Sequence, residues 1–398
     1  MSQVRILTAG ESHGKALIGI LEGMPAGVKI EKEKIDEQLK RRQMGFGRSE
    51  RQKIELDKIE ILSGIRFGVT LGSPIAIQIL NRDWENWKTR MDPWKGEERQ
   101  PVQIPRPGHA DLAGVIKYGH TDIRNILERA SARETAMRVA IGAILRQFLE
   151  LFGIWIGSHV IQIHSVKTEK TFQKIMDKEA SHEEVEKEIL EMTQLAENSE
   201  VRCSDPEIGA RMGNAIRMAQ EKGDTVGGQF EIVALRVPIG LGSHVAWDRR
   251  LDAQIAFEMM SIPGIKSVEI GLGTECANRF GSEVHDAIYP GNPPLRKTNR
   301  AGGIEGGISN GEPILVRATM KPIPTLRKPL PSVHMISGEA VQAHHERSDI
   351  CAVPSAAVVG EAMMAIALAK AFIDRFGGDH LEQIQRRFYD EQRRKETP

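Results

Sequence analysis

Two histidines in the chain lie in tight turns, where an imidazole could exchange protons with a bound ligand near neutral pH. His13 follows Ser12 in the pentapeptide Gly10–Gly14, which lies between two short apolar runs. Glycine allows the chain to turn sharply or to approach a ligand closely. His109 lies in a second turn, Arg106–Asp111, whose proline and glycine favour a tight bend. The pentapeptide alone fits a polar turn as well as a functional site. Residues elsewhere in the chain that could act with Ser12 and His13 are therefore needed to distinguish the two interpretations.

Basic side chains recur near these turns and would suit an anionic substrate, because arginine binds phosphate and carboxylate through paired hydrogen bonds. The candidate cations are Arg42, Arg48, Arg106, Arg129, Arg133, Lys321 and Arg347. A chain with 54 basic and 54 acidic residues does not need so many cations in glycine- and proline-rich loops for solvation. Ser131 with Glu134 fits a capping box that begins a helix, whose positive N-terminal end would also attract an anion. An isolated arginine is more often a surface residue, and this helix start alone fits an ordinary exposed helix start. The prediction of an anion site therefore rests on the repeated occurrence of basic residues near the turns.

Other chemistries fit the sequence less well. Ser12, His109 and Asp349 could form a hydrolase triad, but Ser12 lacks the Gly-x-Ser-x-Gly elbow. The cluster His344-His345-Glu346 is dense enough to suggest a metal, yet adjacent side chains on a strand point in opposite directions. We therefore predict no metal site. An RNA-binding protein is disfavoured by the zero net charge and the few aromatic residues.

Strands and helices that alternate along the chain predict a mixed α/β protein that holds these side chains in place. Long helices are predicted over residues 131–152 and about 355–376, and the second is apolar almost all round and therefore buried. Each follows a loop with arginine and serine and ends in Phe-Gly, which indicates two similar halves. Residues 167–200 predict an exposed helical excursion, and 382–398 predict a charged tail that is helical and exposed. No break in composition divides the chain, so we expect one domain over residues 1–398.

Composition limits the compartment and the partners. The balanced charge gives no overall field toward nucleic acid or membranes. Cys203, Cys276 and Cys351 are odd in number and lack metal-like spacing, which is typical of a reducing, cytoplasmic setting. The N-terminus has no long apolar region and no run of 18 apolar residues occurs, so we predict neither a signal peptide nor a membrane span.

The motifs resemble, in the same order, those of the chorismate synthase family. Three long signatures carry the resemblance, namely Gly10–Gly14 running to Glu22–Gly27, Glu128–Thr135, and Arg347–Asp349 through Gly360–Ala362. Shorter stretches at 42–48, 106–111, 302–311 and 321–325 also match. Their spread from residue 5 to about 376 argues against coincidence.

The resemblance implies a reaction, a fold and an assembly. The family converts 5-enolpyruvylshikimate 3-phosphate to chorismate and phosphate, the last step of the shikimate pathway, which supplies aromatic amino acid biosynthesis. This 1,4-anti elimination needs reduced FMN although no net redox change occurs. The implied fold is an α+β layered sandwich with long helices between β-sheets, and the implied assembly is a homotetramer. NADPH would be the source of reducing equivalents in an enzyme that reduces its own flavin, but we expect a monofunctional enzyme. A non-catalytic flavin- or phosphate-binding protein on the same scaffold is the alternative.

The resemblance also implies roles for individual residues. His13 would assist the leaving phosphate, and His109 would hold or supply a proton at the reduced flavin. Asp349, with Ser12, would accept a proton at flavin N5. The implied flavin contacts are Arg129, Ala130, Ser131, Pro263, Gly264, Gly306, Lys321, Pro322, Ile323, Pro324, Thr325 and Arg347. The implied contacts to substrate or NADP are Arg42, Arg48, Arg106 and Arg133. Pro263-Gly264 departs from the family pattern, in which a polar residue and then alanine are common.

Overall fold

The computed structural model describes residues 4–48, 57–96, 101–291, 294–344 and 348–396. Its strands are β1 (Arg5–Ala9), β2 (Ala16–Glu22), β3 (Ile59–Ser63), β4 (Ile65–Arg66), β5 (Val69–Thr70), β6 (Ile75–Leu80), β7 (Trp155–Ile163), β8 (Val166–Lys167), β9 (Gly228–Leu235), β10 (Ile265–Ile270), β11 (Ile288–Tyr289), β12 (Leu295–Arg296), β13 (Ile304–Glu305), β14 (Ile308–Ser309), β15 (Ile314–Met320), β16 (Pro331–Val333) and β17 (Ala340–Gln342). Its helices are α1 (Lys32–Gln43), α2 (Trp84–Met91), α3 (Asp111–Tyr118), α4 (Arg124–Ala130), α5 (Thr135–Glu150), α6 (Phe172–Met176), α7 (His182–Glu197), α8 (Pro206–Glu221), α9 (Leu251–Met260), α10 (Gly281–Val284), α11 (Val353–Phe376) and α12 (Leu381–Glu396).

Two antiparallel sheets share one topology. The first sheet has the strand order β1-β2-β6-β3, and the second has the order β10-β15-β9-β7-β8. Each half of the chain supplies two strands, a helix, two more strands and a long helix, with α1 and α5 in the first half and α9 and α11 in the second. In space, the four main strands of each half stand in the order first, second, fourth, third, and β8 is an added edge. The predicted mixed α+β fold with two similar halves is therefore confirmed.

The two long helices lie between the sheets, as the layered sandwich requires. Gly19 of β2 lets the side chain of Met137 on α5 approach the first sheet, since a Cβ there would lie 2.5 Å from its sulfur. Helices α5 and α11 cross closely at Gly142, where a Cβ would lie 2.5 Å from that of Ala362. Gly360 of α11 faces Ile232 of the second sheet in the same way. Small residues at these crossings allow the close packing of four layers, in the order first sheet, α5, α11 and second sheet.

Helix α11 has the length and apolar composition of a membrane span, but 94% of its most apolar 18-residue window is buried inside the protein. Nearly every residue from Val353 to Phe376 is buried, with neighbours on several sides. A helix that is hydrophobic all round is expected in the core of a large protein. The prediction of a buried central helix is confirmed.

The segment 167–200, predicted to be an exposed excursion, forms helices that cover the outer face of the second sheet. Phe172 of α6 and Ile189 of α7 are fully buried against Val233 and Leu235 of β9. The opposite, exposed side of α7 carries Lys187 and most of the helix's glutamates. The charged composition concealed a narrow apolar stripe, which is enough to attach a helix to a sheet.

The start of α5 differs from the predicted capping box. Ser131 accepts a hydrogen bond from the backbone of Arg133 at 3.3 Å and thereby caps a short 3₁₀ turn. The Glu134 carboxylate turns forward to Arg138, at 2.7 Å, and does not return to the cap. The α-helix consequently begins at Thr135.

The C-terminal tail is helical, as predicted, but it is not wholly exposed. Ile384 and Phe388 of α12 are buried, and their four-residue spacing places them on one face. Phe388 contacts the rings of Phe152, Phe372 and Phe376. The ends of both long helices are therefore held together by an aromatic cluster that the tail completes.

A buried ion cluster connects the helical layer to the second sheet. Glu361 of α11 accepts hydrogen bonds from Arg41 at 2.7 Å, from Arg146 at 2.9 Å and from Arg202 at 3.2 Å. The hydroxyl of Ser158 donates to the same carboxylate at 2.6 Å. Burial opposes the charge of Glu361, but the arginines outweigh it and lower its pKa to about 2. The partner that a glutamate inside an apolar helix requires is thus a set of three arginines.

Candidate active site

A cavity of about 450 Å³ lies where the first turns of α5 and α11 meet. Thr135 of α5 and Ser355, Ala356 and Val359 of α11 line it directly. The N-terminal end of a helix carries partial positive charge, so two such ends favour an anion. The volume is in the range of small-molecule sites. Predicted site residues that line the cavity are Ser12, His13, Arg42, Arg48, Arg106, His109, Ala130, Ser131, Arg133, Pro263, Gly264, Lys321, Pro322, Ile323, Pro324, Thr325 and Asp349.

Two buried arginines are held at one end of the cavity by a single carboxylate. Asp57 lies 2.6 Å from Arg133 and 3.7 Å from Arg42. Arg42 also donates to the hydroxyl of Thr135 at 3.0 Å, and Arg133 donates to the side chain of Asn81. Burial lowers the pKa of Arg42 to about 10, and the nearby positive charges of Arg133 and Arg48 act in the same direction. A bound anion would relieve this repulsion.

Arg48 and Asp349 form an ion pair across the cavity wall, with 2.8 Å between Nη1 and Oδ2. Both side chains are largely buried. The Nε atom of Arg48 is buried and has no hydrogen-bond partner within the described part of the chain. A buried guanidinium with unused donor capacity is a natural contact for a ligand oxygen.

His13 is held from two sides at the cavity edge. Its Nδ1 lies 3.0 and 2.9 Å from the two carboxylate oxygens of Glu128, and its backbone N–H donates to Oε2 at 2.9 Å. The indole of Trp87 stacks on the imidazole with 3.8 Å between ring centroids and an angle of 25° between planes. This arrangement directs the other ring nitrogen, Nε2, away from the carboxylate.

His109 has a carboxylate partner of its own. Its Nδ1 lies 2.5 Å from Oδ1 of Asp111. The other carboxylate oxygen of Asp111, Oδ2, accepts a hydrogen bond from Nε of Arg106 at 2.8 Å. Arg106 reaches further to the hydroxyl of Thr325 at 3.1 Å. Burial of Asp111 opposes its charge, but the hydrogen bonds from His109 and Arg106 lower its pKa well below the usual range. The aspartate paired with His109 is therefore Asp111 and not Asp349, which removes the main support for a Ser12–His109–Asp349 hydrolase triad.

Ser12 and Ser131 approach each other on the first half's side of the cavity. The Ser131 hydroxyl donates to Ser12 Oγ at 3.2 Å, and the Ser12 backbone N–H donates to the carbonyl of Glu128 at 3.0 Å. On the second half's side, the Lys321 backbone N–H donates to the carbonyl of Gly264 at 2.9 Å. Gly264 has φ +87°, a conformation that favours glycine. This bond joins the turn 263–264 to the proline-rich segment 321–325 as one wall.

Two predicted flavin contacts, Arg129 and Gly306, do not line this cavity, and a third lies outside the described residues. Arg129 is exposed, and its guanidinium donates to the backbone carbonyls of Thr8 and Gly10. Gly306 lies in the hairpin between β13 and β14, outside the set of lining residues. Arg347 lies outside the described residues, together with His345 and Glu346 of the proposed metal cluster.

Sequence reasoning missed the carboxylates behind the two histidines. Asp111 lay within a quoted motif and follows His109 by two residues, so a search for short-range His–Asp pairs would have found it. Glu128 is 115 residues from His13, and Trp87 lies outside every motif identified in the sequence. For these two residues the sequence carries no local signal of the contact.

The arrangement can bind an anion and transfer protons beside it. Asp57 pairs with Arg42 and Arg133, Asp111 with Arg106, and Asp349 with Arg48, whereas the Lys321 ammonium donates to the carbonyl of Gly108. Burial lowers the pKa of Lys321 below its usual value, and Lys266 acts in the same direction. Excess positive charge in a partly buried site stabilises a developing anion without reorganisation.

Comparison with known proteins gives one consistent family. The sequence profile of the chorismate synthase family matches residues 4–373. The chain is 54% identical over 392 residues to the chorismate synthase of Aquifex aeolicus (strain VF5), and the match covers 97% of each chain. It is 50% identical over 396 residues to that of Geobacter metallireducens (strain ATCC 53774 / DSM 7210 / GS-15), again covering 97% of each. A crystal structure of chorismate synthase superposes with a TM-score of 0.80 and 45% identity over 99% of both chains.

Proposed function

The chain belongs to the chorismate synthase family, and we propose that the cavity at the start of α5 and α11 is where it acts. The enzyme is a carbon–oxygen lyase that eliminates phosphate from 5-enolpyruvylshikimate 3-phosphate to give chorismate. The observation that carries the proposal is the convergence of all three family signatures on one basic cavity between the halves. No finding favours the alternative of a non-catalytic flavin- or phosphate-binding protein.

The residues around the cavity suit the reduced FMN that the family requires. The stiff wall formed by 263–264 and 321–325 offers backbone and proline surface to a planar ring, and the cations opposite offer partners for its phosphate. The unused Nε of Arg48 is one donor that such a ligand would satisfy. When bound, the reduced flavin supplies the electron density that assists cleavage of the carbon–oxygen bond without net redox change.

The cationic side chains stabilise the leaving phosphate. Cleavage of the carbon–oxygen bond places negative charge on the phosphate oxygens. Arg42, Arg48 and Arg133 already lie together, held by Asp57 and Asp349, so they need not reorganise as this charge develops. Together with Arg106, these three side chains are the proposed contacts to substrate or NADP.

The two histidines and Asp349 divide the proton transfers. His13, whose Nε2 is directed away from Glu128, gives a proton to the leaving phosphate. His109, held by Asp111, keeps or supplies a proton at the flavin. Asp349, with Ser12, would accept a proton at flavin N5 when FMN is bound. The separate carboxylate behind each histidine keeps each ring in one orientation.

An anaerobic assay tests this function directly. Purified protein with 5-enolpyruvylshikimate 3-phosphate and chemically reduced FMN is expected to release phosphate and to form chorismate in equal amounts. With oxidised FMN, NADPH and no added reductase, we expect no turnover, because the sequence carries no evident reductase motif. Binding of reduced FMN without phosphate release would restore the non-catalytic alternative. Turnover in the second reaction would identify a bifunctional enzyme.

The outer face of the first sheet supports a homotetramer. Leu7, Ile18, Ile20 and Leu80 expose 39 to 67% of their surface on this face, and Leu7 lies directly opposite Ile20. The corresponding face of the second sheet is covered by α6 and α7. Large apolar patches on a protein surface commonly mark contacts with other chains. A second apolar group that includes Val245, Trp247, Phe257 and Met260 offers the additional contact that a tetramer with two interface types needs.

We also propose that the enzyme is cytoplasmic. A paired substitution on the outer face of the first sheet tests the proposed interface. Leu7→Lys with Ile20→Glu places opposite charges across β1 and β2, as Arg5 and Glu22 already do. The monomer should therefore fold, while the desolvated charges disrupt the contact between copies. Light scattering is expected to give at most half of the wild-type mass. Leu195→Glu, on the exposed side of α7, is the control that should keep the wild-type mass. An unchanged mass in the paired variant would exclude this face.

A further inference from the structure

We propose that Glu128 and Trp87 form a clamp that positions His13 for proton transfer, and that both act on the reaction only through that histidine. The inference rests on the proposed role of His13 as the proton donor to the leaving phosphate. It adds two positioning residues that lie outside the predicted site.

The clamp is a closed ring of four side chains. Glu128 binds the His13 imidazole and also accepts from Arg124 Nη1 at 2.9 Å. The Arg124 guanidinium lies over the Trp87 indole, 5.1 Å from the ring centroid, and the indole stacks on His13. The Trp87 indole nitrogen donates to Asp83 at 2.9 Å, which fixes the plane of the ring. Each member of the ring therefore contacts two others.

Glu128 and Trp87 constrain different movements of the imidazole. The carboxylate of Glu128, only 1% exposed, accepts from Nδ1–H and keeps that proton in place, so the proton that the imidazolium transfers is the one on Nε2, at the edge of the ring that faces the cavity. The indole covers one face of the imidazole and prevents rotation out of the plane. Glu128 also accepts from the backbone N–H of His13, so the side chain and its backbone are fixed by one residue.

Helix α2 gives the stacking contact a further significance. None of its residues is buried, so the helix has little packing of its own to hold it. Trp87 contacts the described site through its stack on His13. The indole is therefore placed by its partners in the clamp, and loss of His13 or Glu128 should be detectable at Trp87.

A double-mutant cycle on the full-length enzyme with reduced FMN tests the proposal. Glu128→Ala is expected to lower kcat on the order of 10- to 100-fold, the loss typical when a carboxylate that orients a functional imidazole is removed. KM should change by less than about twofold, and Glu128→Gln, which keeps an acceptor oxygen, should recover part of the loss. In a His13→Ala background the same substitution should cost nothing further, because non-additivity marks residues that act as a unit. Glu11→Gln, an exposed carboxylate in the same loop, is the control.

A fluorescence measurement on the enzyme without ligands tests the clamp independently of catalysis. The emission of Trp87, taken as the difference between wild type and Trp87→Phe, should become more accessible to acrylamide in Glu128→Ala and in His13→Ala. Trp94→Phe, which removes an 89% exposed indole, is the matched control. Additive losses of kcat, or unchanged quenching, would overturn the clamp. Full turnover of His13→Ala together with altered quenching would instead overturn the proposed role of His13 and leave the clamp in place.

Discussion

Replacement of His13 by alanine is expected to lower the rate of phosphate release by about 10²- to 10⁴-fold, the range typical of a lost general acid. The imidazole lines the cavity, its Nδ1 is bound to Glu128, and its Nε2 is directed away from that carboxylate. Without it, the leaving phosphate would have to take its proton from water or remain more highly charged. The rate should be measured by single-turnover phosphate release under anaerobic conditions with reduced FMN, which separates chemistry from product release.

His109→Ala should show a loss of similar size, and His244→Ala should show none. His109 lines the same cavity and is held by Asp111, whereas His244 is exposed and does not line it. All three variants should unfold at temperatures close to that of wild type, because none of these rings lies in the hydrophobic core. Wild-type phosphate release in either site variant would remove that histidine from the mechanism. A loss in the His244 variant would indicate a general effect of the substitution.

Much of the scaffold follows from the sequence because its elements are locally encoded. The apolar helix predicted near 355–376 is observed at Val353–Phe376, and the helix predicted over 131–152 is observed at Thr135–Glu150. The repeated Phe-Gly ends correctly indicated two similar halves. Long apolar periods and glycine stops carry this information within a few residues. The shared order of strands in the two sheets is a property of long-range pairing, and no local pattern contains it.

The candidate site was predictable to the extent that its residues lie in signatures. Ser12, Ser131 and Asp349 belong to three distant motifs, and the meeting of α5 with α11 brings them to one cavity. A signature does not fix the direction of each side chain. Arg129 stands beside two lining residues, yet its guanidinium turns out to the end of β1. Glu128, one residue before Arg129, points toward the site, because its carboxylate binds His13 and Arg124.

Replacement of Glu361 by glutamine is expected to lower the free energy of unfolding by about 3–5 kcal/mol, the typical cost of breaking a buried ion pair. The substitution preserves shape but removes the fully buried carboxylate that Arg41, Arg146 and Arg202 share. The more exposed Glu197 remains beside Arg41 and Arg202, and Glu150 remains beside Arg146. The glutamine side chain would also present an N–H₂ group to guanidinium donors. Denaturant unfolding at neutral pH, with equal slopes for both proteins, gives the difference.

The pH dependence of that difference identifies its electrostatic origin. Glu361 has its pKa lowered from 4.5 to about 2 in the folded protein, because the arginines outweigh the effect of burial. Its stabilising contribution is therefore fully present above about pH 4.5 and is lost as the pH falls toward 2. The difference in free energy of unfolding between wild type and Glu361→Gln should become smaller over the same pH interval. Glu150→Gln removes an exposed partner of the same Arg146 and should cost at most about 1 kcal/mol, since exposed pairs contribute little. A gap that does not change between pH 5 and 3 would mean that the variant is destabilised by altered packing and not by the loss of charge.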